Sequence, residues 1–215
     1  MLSAPLAEVA ARVPAGRILD VGCGHGALAA LLAVDRPDRR VVGVDPDPRK
    51  VAWASASVSR LPNVEVRRGT ADGLLPSEER SFDAVVVADV LYLLPVERWE
   101  PFLAGVFRLL KPGGRLFLEE AEGDRSWRHL KWTLQELVMV RLLRRTHGSG
   151  GLQLRPRAFT EARLREVGFE DVGTTTMSAG YTTPHILLEG EGLARQAIEE
   201  GVLQAASMAS SQFFG

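Results

Sequence analysis

Cysteine is nearly missing from this chain: its 215 residues include one, Cys23. A single thiol cannot close an internal disulfide or build a zinc site, so no oxidising compartment is implied. Basic excess is missing too, with 26 Lys and Arg against 27 Asp and Glu and a net charge of −1. Nucleic-acid binders usually carry a domain-wide basic surplus, so nucleic acid is not expected as a partner. Long apolar runs are lacking. The longest, such as Ala27 to Val34 and Ala84 to Ala88, fall far below the ~20 residues that span a bilayer. The first residues have no basic start and carry Glu8 and Arg12 inside their apolar stretch, so no signal peptide is expected. No internal repeat or low-complexity block is found. With 46% hydrophobic and 25% charged residues, the composition is that of one globular domain over 1–215, expected to be soluble and cytoplasmic.

What is present is an alternation of short apolar strands with helical stretches. Ser3 is placed to cap a first helix through Val13, which Pro14 and Gly16 end. Arg17 to Val21 is a β-branched run broken by glycines, and Ala27 to Val34 is a helix. Val41 to Val44 is a strand, Lys50 to Arg60 a helix and Val64 to Val66 a strand. Phe82 to Ala88 reads as a strand buried on both faces. Trp99 to Leu110 is a helix ending at Lys111-Pro-Gly-Gly114, before a strand at Arg115 to Leu118. This spacing predicts βαβ units and a parallel sheet covered on both faces. Near Phe159 the alternation resumes, with Thr160 as helix cap, Phe159 as a staple against Leu164 and Gly168 as the stop. Phe169 to Met177 and His185 to Leu188 are joined by so short a turn that they must pair antiparallel.

Residues 124–158 interrupt the pattern as a predicted helical lid after the fifth strand. Trp127, Leu130, Leu134, Leu137 and Val138 form one apolar stripe, while Trp132, Met139, Leu142 and Leu143 fall on the other side. A helix apolar on two sides is usually covered on two sides. One cover is the sheet; the other is a substrate, a second copy of the chain in a homodimer, or a membrane surface met peripherally through 125–145. Six basic residues here (Arg125, Arg128, Lys131, Arg141, Arg144 and Arg145) face only Glu136, which would suit an anionic acceptor or acidic membrane. Solvated charge around a packed helix is the plain alternative. Gly148 to Gly151 reads as a hinge and 191–215 as an Ala-rich helical tail.

The chemistry concentrates at Ile18-Leu-Asp-Val-Gly-Cys-Gly-His-Gly26, where a strand turns into a helix. Glycines let the backbone bend sharply and approach a ligand. Gly22, Gly24 and Ala27 also satisfy a dinucleotide pattern that would place a pyrophosphate on the helix start, so a nicotinamide-dependent oxidoreductase is one alternative. Three acids weigh between the ligands. Asp20 lies two residues before the first glycine, where a carboxylate repels pyrophosphate but meets a cationic amino-acid group. Asp45 ends the second strand, where an acid accepts ribose hydroxyls. Asp72 follows the third strand, where an adenine edge would lie; its alternative is a solvated loop acid. Together they favour an adenosine ligand with a positive charge and no phosphate, a description that S-adenosylmethionine meets.

The ordered strings DVGCGHG, VVGVDPDP, GTAD, SFDAVVVADVLY and LKPGGRLFLEE resemble the class I S-adenosylmethionine-dependent methyltransferases over about Arg17 to Glu120. That resemblance implies a Rossmann-like, doubly wound seven-stranded sheet, mostly parallel with a C-terminal antiparallel hairpin. It implies that Asp20, Gly22, Gly24 and Gly26 surround the methionine portion and that Asp45 binds the ribose. Ala71 and Asp72 would hold the adenine, with Asp89 and Val90 beside the methyl group. Cys23, as a small residue in the crowded loop, and Pro46, after the ribose acid, complete the cofactor set.

Methyl transfer needs alignment above all, and a general base only for a hydroxyl or acidic carbon. Residues expected at the carboxyl rim of the strands are His25, Asp89, Tyr92, Glu119, Glu120, Tyr181 and His185. His185 and Tyr92 are the candidate catalytic residues; a structural histidine is the alternative for His185, and His129 and His147 read as surface residues. No His and carboxylate spacing indicates a metal. Asp89-Val-Leu-Tyr92 lacks the Asn/Asp-Pro-Pro-Tyr string of base and glutamine methylation. The expected activity is methyl transfer to O, C or N of a partly hydrophobic small molecule or lipid-like acceptor. The second alternative is a non-catalytic S-adenosylmethionine-binding partner or sensor.

Overall fold

β-Branched runs supply the sheet. In the computed structural model, which describes residues 5–121, 153–177 and 185–192, these are β1 (Arg17–Val21), β2 (Arg40–Asp45), β3 (Val64–Arg68) and β4 (Phe82–Ala88). β5 (Leu110–Ala121), β6 (Glu170–Thr176) and β7 (His185–Glu191) complete it. The strand order is β3-β2-β1-β4-β5-β7-β6. The first five strands are parallel, and β7 pairs antiparallel with both β5 and β6. The expected mostly parallel seven-stranded sheet and closing hairpin are present.

Among the described residues, five α-helices cover the sheet: α1 (Leu6–Arg12), α2 (Ala27–Asp35), α3 (Pro48–Ser57), α4 (Trp99–Leu109) and α5 (Arg157–Val167). Two apolar layers form. Val9, Val13, Leu28 and Leu32 meet Ile18, Val86 and Phe117 on one face, and Leu103, Val106 and Leu164 meet Val85, Val87 and Leu118 on the other. Val85, Val86 and Val87 are fully buried, as a central parallel strand requires. Arg39, also fully buried, fastens the first layer. Its guanidinium donates to the carbonyls of Ala10, Val13, Pro14 and Leu32 and to the Asp35 carboxylate. It thus adds a second donor to the Ala10 and Leu32 carbonyls, which already accept from the Val13 and Arg36 N–H groups, and ties the ends of α1 and α2 together.

Several boundaries differ from expectation, each for a local reason. α3 starts at Pro48, not Lys50, because the Asp47 side chain accepts from the Arg49 N–H and Pro48 suits the first turn. Leu110 opens β5 rather than closing α4, since it already pairs with Phe82 before a bulge. Thr160 caps nothing: α5 begins at Arg157 behind Pro156, and Thr160 lies buried inside it. Phe159 meets Trp99 edge-on at 5.8 Å rather than serving as a staple before the cap. Gly168 does end the helix, with φ +111°. The predicted lid boundary at 158 therefore falls inside α5. Ser3, the two-faced helix of 125–145 with His129 and His147, the Gly148 to Gly151 hinge, Tyr181 and the tail after 192 lie outside the described residues.

Candidate cofactor and acceptor site

The carboxyl ends of β1, β2, β4 and β5 form one rim, and the sequence places acids along it. Behind β1, the glycine turn is tied down by the N–H groups of Gly22 and Cys23, which both donate to the Val44 carbonyl at 2.8 and 3.0 Å. Gly22 has φ +73°, and a Cβ there would lie 2.4 Å from Cγ2 of Val90. No other residue fits, because both the left-handed backbone and the approach of Val90 exclude a side chain. Gly24 and Gly26 also have positive φ, a backbone region that favours glycine. Cys23 is buried with its sulfur against Gly43. Burial pushes its thiol well above the usual range, which disfavours a nucleophilic thiolate.

Asp45 is 4% exposed, and each of its oxygens accepts one backbone N–H, Oδ1 from Asp47 at 2.8 Å and Oδ2 from Gly24 at 3.1 Å. A carboxylate has about four acceptor positions, so its orientation is fixed while further positions remain for hydroxyl donors. Asp20 is 2% exposed, and its Oδ2 has no hydrogen-bond partner among the described residues. Burial pushes its pKa from 3.8 to about 7; the Ala29 N–H opposes the rise, and the charge of Asp45 adds to it. Beside the loop a cavity of about 170 Å³ is lined by Val21, Gly22, Pro46, Ala71, Asp72 and Val90, and closed by Leu94, Arg98 and Phe102. Asp72 is exposed and leans on α4, its Oδ1 lying 2.8 Å from where a Cβ on Gly105 would be.

These features fit S-adenosylmethionine. An unpartnered buried carboxylate oxygen suits its ammonium or sulfonium, the oriented Asp45 suits ribose hydroxyls, and the largely apolar cavity suits a purine. Two buried acids beside the loop disfavour a phosphate there. Leu94, Arg98 and Phe102 carry no sequence signal for this cavity, since they come from a turn and helix 20 or more residues beyond the adenine-side Ala71 and Asp72.

The acceptor side gathers differently from expectation. Glu119 and Glu120 are 0% and 6% exposed, so neither is an open rim acid. Glu120 accepts from the Leu91 and Tyr92 N–H groups at 2.8 and 3.2 Å and fixes the turn after β4. Burial first, then the charges of Glu119 and Asp89, push its pKa well up. Tyr92 is buried, and its carbonyl accepts from the Gln153 N–H at 2.8 Å. His185 is 1% exposed, with Nδ1 2.5 Å from Oε1 of Glu119. Asp89, at φ +55°, donates its N–H to the Glu119 carbonyl at 3.1 Å. His25 instead stacks on Trp53 of α3, ring centres 5.0 Å apart. Asp89, Glu119 and His185 bring three donor atoms within 4.8 Å of one another. Sequence spacing showed no such group because its members come from the ends of three different strands.

A glycine turn after β1, acids closing β1 and β2, and a sheet with an antiparallel seventh strand define the class I methyltransferase architecture. Residues 18–114 match the methyltransferase domain family. The chain is 38% identical over 110 residues to a demethylmenaquinone methyltransferase of Tropheryma whipplei, covering 51% of this chain and 44% of that protein. It is 28% identical over 185 residues to a trans-aconitate 2-methyltransferase of Methylobacterium nodulans, covering 83% and 63%. The structure of the S-adenosylmethionine-dependent methyltransferase SibL in its apo form superposes with a TM-score of 0.67 at 26% identity, over 86% of this chain and 52% of that one. Residues 18–114 therefore form a methyltransferase domain with the class I fold, and S-adenosylmethionine is its cofactor. The chain spans about half the length of the curated relatives it matches. The dinucleotide alternative read from Gly22, Gly24 and Ala27 is set aside by this domain match.

Proposed function

We propose that the protein transfers a methyl group from S-adenosylmethionine to O, C or N of a partly hydrophobic small molecule or lipid-like acceptor. The observation that carries the cofactor half is the buried, unpartnered Oδ2 of Asp20 beside the glycine turn. Bound S-adenosylmethionine supplies a methyl group activated by its sulfonium. Asp20 would face the methionine portion, with Gly22, Cys23, Gly24 and Gly26 around it. Asp45 followed by Pro46 would hold the ribose, and Ala71 and Asp72 the adenine edge. Asp89 and Val90, behind the Gly22 approach, would set where the methyl group points. Such alignment is worth on the order of 7–11 kcal/mol of barrier.

On the acceptor side, His185 and Tyr92 are the proposed catalytic residues. Held by Glu119, His185 would take the proton of a hydroxyl acceptor at its ring. The relatives' names span an apolar acceptor, demethylmenaquinone, and an anionic one, trans-aconitate. The mix of apolar and basic residues in the sequence of 125–145 supports an acceptor with both characters, a peripheral membrane contact or a homodimer face. Among the described residues, no helix is long and apolar enough to cross a membrane. A cytoplasmic setting belongs to the same proposal, in keeping with a buried free thiol.

The test is calorimetric titration with S-adenosylmethionine and S-adenosylhomocysteine, with Asp45→Ala as control, then an acceptor screen with hydrophobic phenols and lipids. Micromolar binding, weakened in the control and followed by methylated product, supports the reading. Tight binding with no product in any extract replaces it with a non-catalytic binding protein, and no binding of either ligand overturns it.

A further inference from the structure

Asp89, Glu119 and His185 have no joint task in methyl alignment, yet the fold builds them into one cluster. In the antiparallel ladder His185 stands opposite Ala121, and Leu187 opposite Glu119. Directly opposed residues share a face and so do alternate residues on one strand, so His185 and Glu119 lie diagonally on the same side. Asp89 is fixed beside them by its N–H bond to the Glu119 carbonyl. Glu119 is fully buried. Its Oε1 is taken by His185, but its Oε2 has no hydrogen-bond partner among the described residues. A buried carboxylate oxygen with nothing to accept from is costly unless a cation meets it. Glu120 is turned to the Leu91 and Tyr92 N–H groups and does not join.

We propose that Asp89, Glu119 and His185 bind one first-row divalent transition-metal ion. Their donor atoms, all within 4.8 Å of one another, can converge on one ion at the ~2.0–2.2 Å typical of nitrogen and carboxylate ligands. One imidazole and two carboxylates suit Mn²⁺, Fe²⁺, Co²⁺ or Zn²⁺, while the nitrogen donor disfavours Mg²⁺ and Ca²⁺. Among the described residues the cluster offers three ligands, fewer than the roughly four to six positions of such an ion. If the methyltransferase reading holds, the remaining positions would hold an acceptor oxygen, which narrows the acceptor to molecules bearing a hydroxyl or carboxylate at the methylated end. His185 is then a ligand rather than the proton acceptor.

The experiment measures metal uptake without turnover. Chelator-stripped protein is titrated with Co²⁺, followed by visible absorption, with Zn²⁺ and a large excess of Mg²⁺ as competitors. One Co²⁺ per chain is expected, displaced by Zn²⁺ but not by Mg²⁺. Binding should weaken at least tenfold in His185→Gln and in Glu119→Gln and be unchanged in Cys23→Ser. Absence of saturable one-to-one uptake by the wild-type chain overturns the proposal without reference to any variant. So does uptake lost in Cys23→Ser or indifferent to both cluster variants. S-adenosylhomocysteine binding, titrated on the same samples, separates the two readings: its loss with Co²⁺ uptake intact removes the methyltransferase reading and leaves the metal site standing.

Discussion

Replacing Asp20 by asparagine should stabilise the ligand-free protein at pH 8 while weakening its hold on S-adenosylmethionine. Burial raises the Asp20 pKa from 3.8 to about 7. At about 1.36 kcal/mol per unit, holding it ionised above pH 7 costs the fold about 4 kcal/mol. The native state binds the proton more tightly than the unfolded chain. Stability is therefore fully present below about pH 4 and is lost as pH rises through about 7. Asparagine keeps the shape but cannot ionise, and its amide leaves an unmet N–H that returns about 1–3 kcal/mol of the gain. A net advantage of about 1–3 kcal/mol is expected at pH 8, turning into a deficit of about 1–3 kcal/mol toward pH 4 as the ionisation cost vanishes and the unmet N–H remains. In a chain of this size the advantage is a melting-temperature rise of roughly 2–12 °C. Calorimetric melts at pH 4.5, 6 and 8 measure it. The same samples with S-adenosylmethionine should show the ligand-induced rise in wild type and little of it in the variant. In wild type, the cationic ligand should bind more tightly at pH 7.5 than at pH 6, as Asp20 loses its proton. A variant less stable than wild type at pH 8, or an advantage that ignores pH, would refute the assignment of burial as the cause.

Three other substitutions probe separate parts of the argument. Gly22→Ala places a Cβ 2.4 Å from Val90 on a left-handed backbone; urea melts should show a loss of about 2–4 kcal/mol, partly restored by Val90→Ala. Phe102→Ala opens the cavity beside Ala71. Its S-adenosylhomocysteine dissociation constant should rise about tenfold by calorimetry, in line with the ~1–3 kcal/mol of an aromatic face on a base. Arg39→Met leaves three buried carbonyls, the half-buried Pro14 carbonyl and Asp35 without their shared donor. It should destabilise by about 3–5 kcal/mol in urea melts, with ligand affinity unchanged below the unfolding transition.

The cofactor half is legible because its parts are contiguous. Asp20 to Gly26 and Asp45 to Asp47 each lie within one strand end and its turn, where residue type alone decides backbone conformation and charge. The sheet was legible for a similar reason, since the short β-branched run FDAVVVA reads as a strand covered on both sides. The group of Asp89, Glu119 and His185 resists reading. Glu119 and His185 are 66 residues apart and meet only through the register of β5 with β7, which no local pattern encodes. Leu94, Arg98 and Phe102 reach the cavity through packing on the sheet. Thr160 misled because a good capping residue lost to Pro156, whose fixed φ starts the helix one turn earlier.

The place of β7 between β5 and β6 has a consequence for synthesis. Emerging from the ribosome, the chain completes β1 to β5 while His185 is still 64 residues away, several seconds at roughly 5–20 residues per second. During that interval β5 is an edge strand with Leu116 and Leu118 on one face and Phe117 on the other, a surface on which other chains can pair. Glu119, carried on that strand, then lacks the histidine it meets in the finished fold. An acid on an uncovered edge disfavours pairing with a stranger, and in the finished fold the same acid meets His185 on the strand that covers that edge.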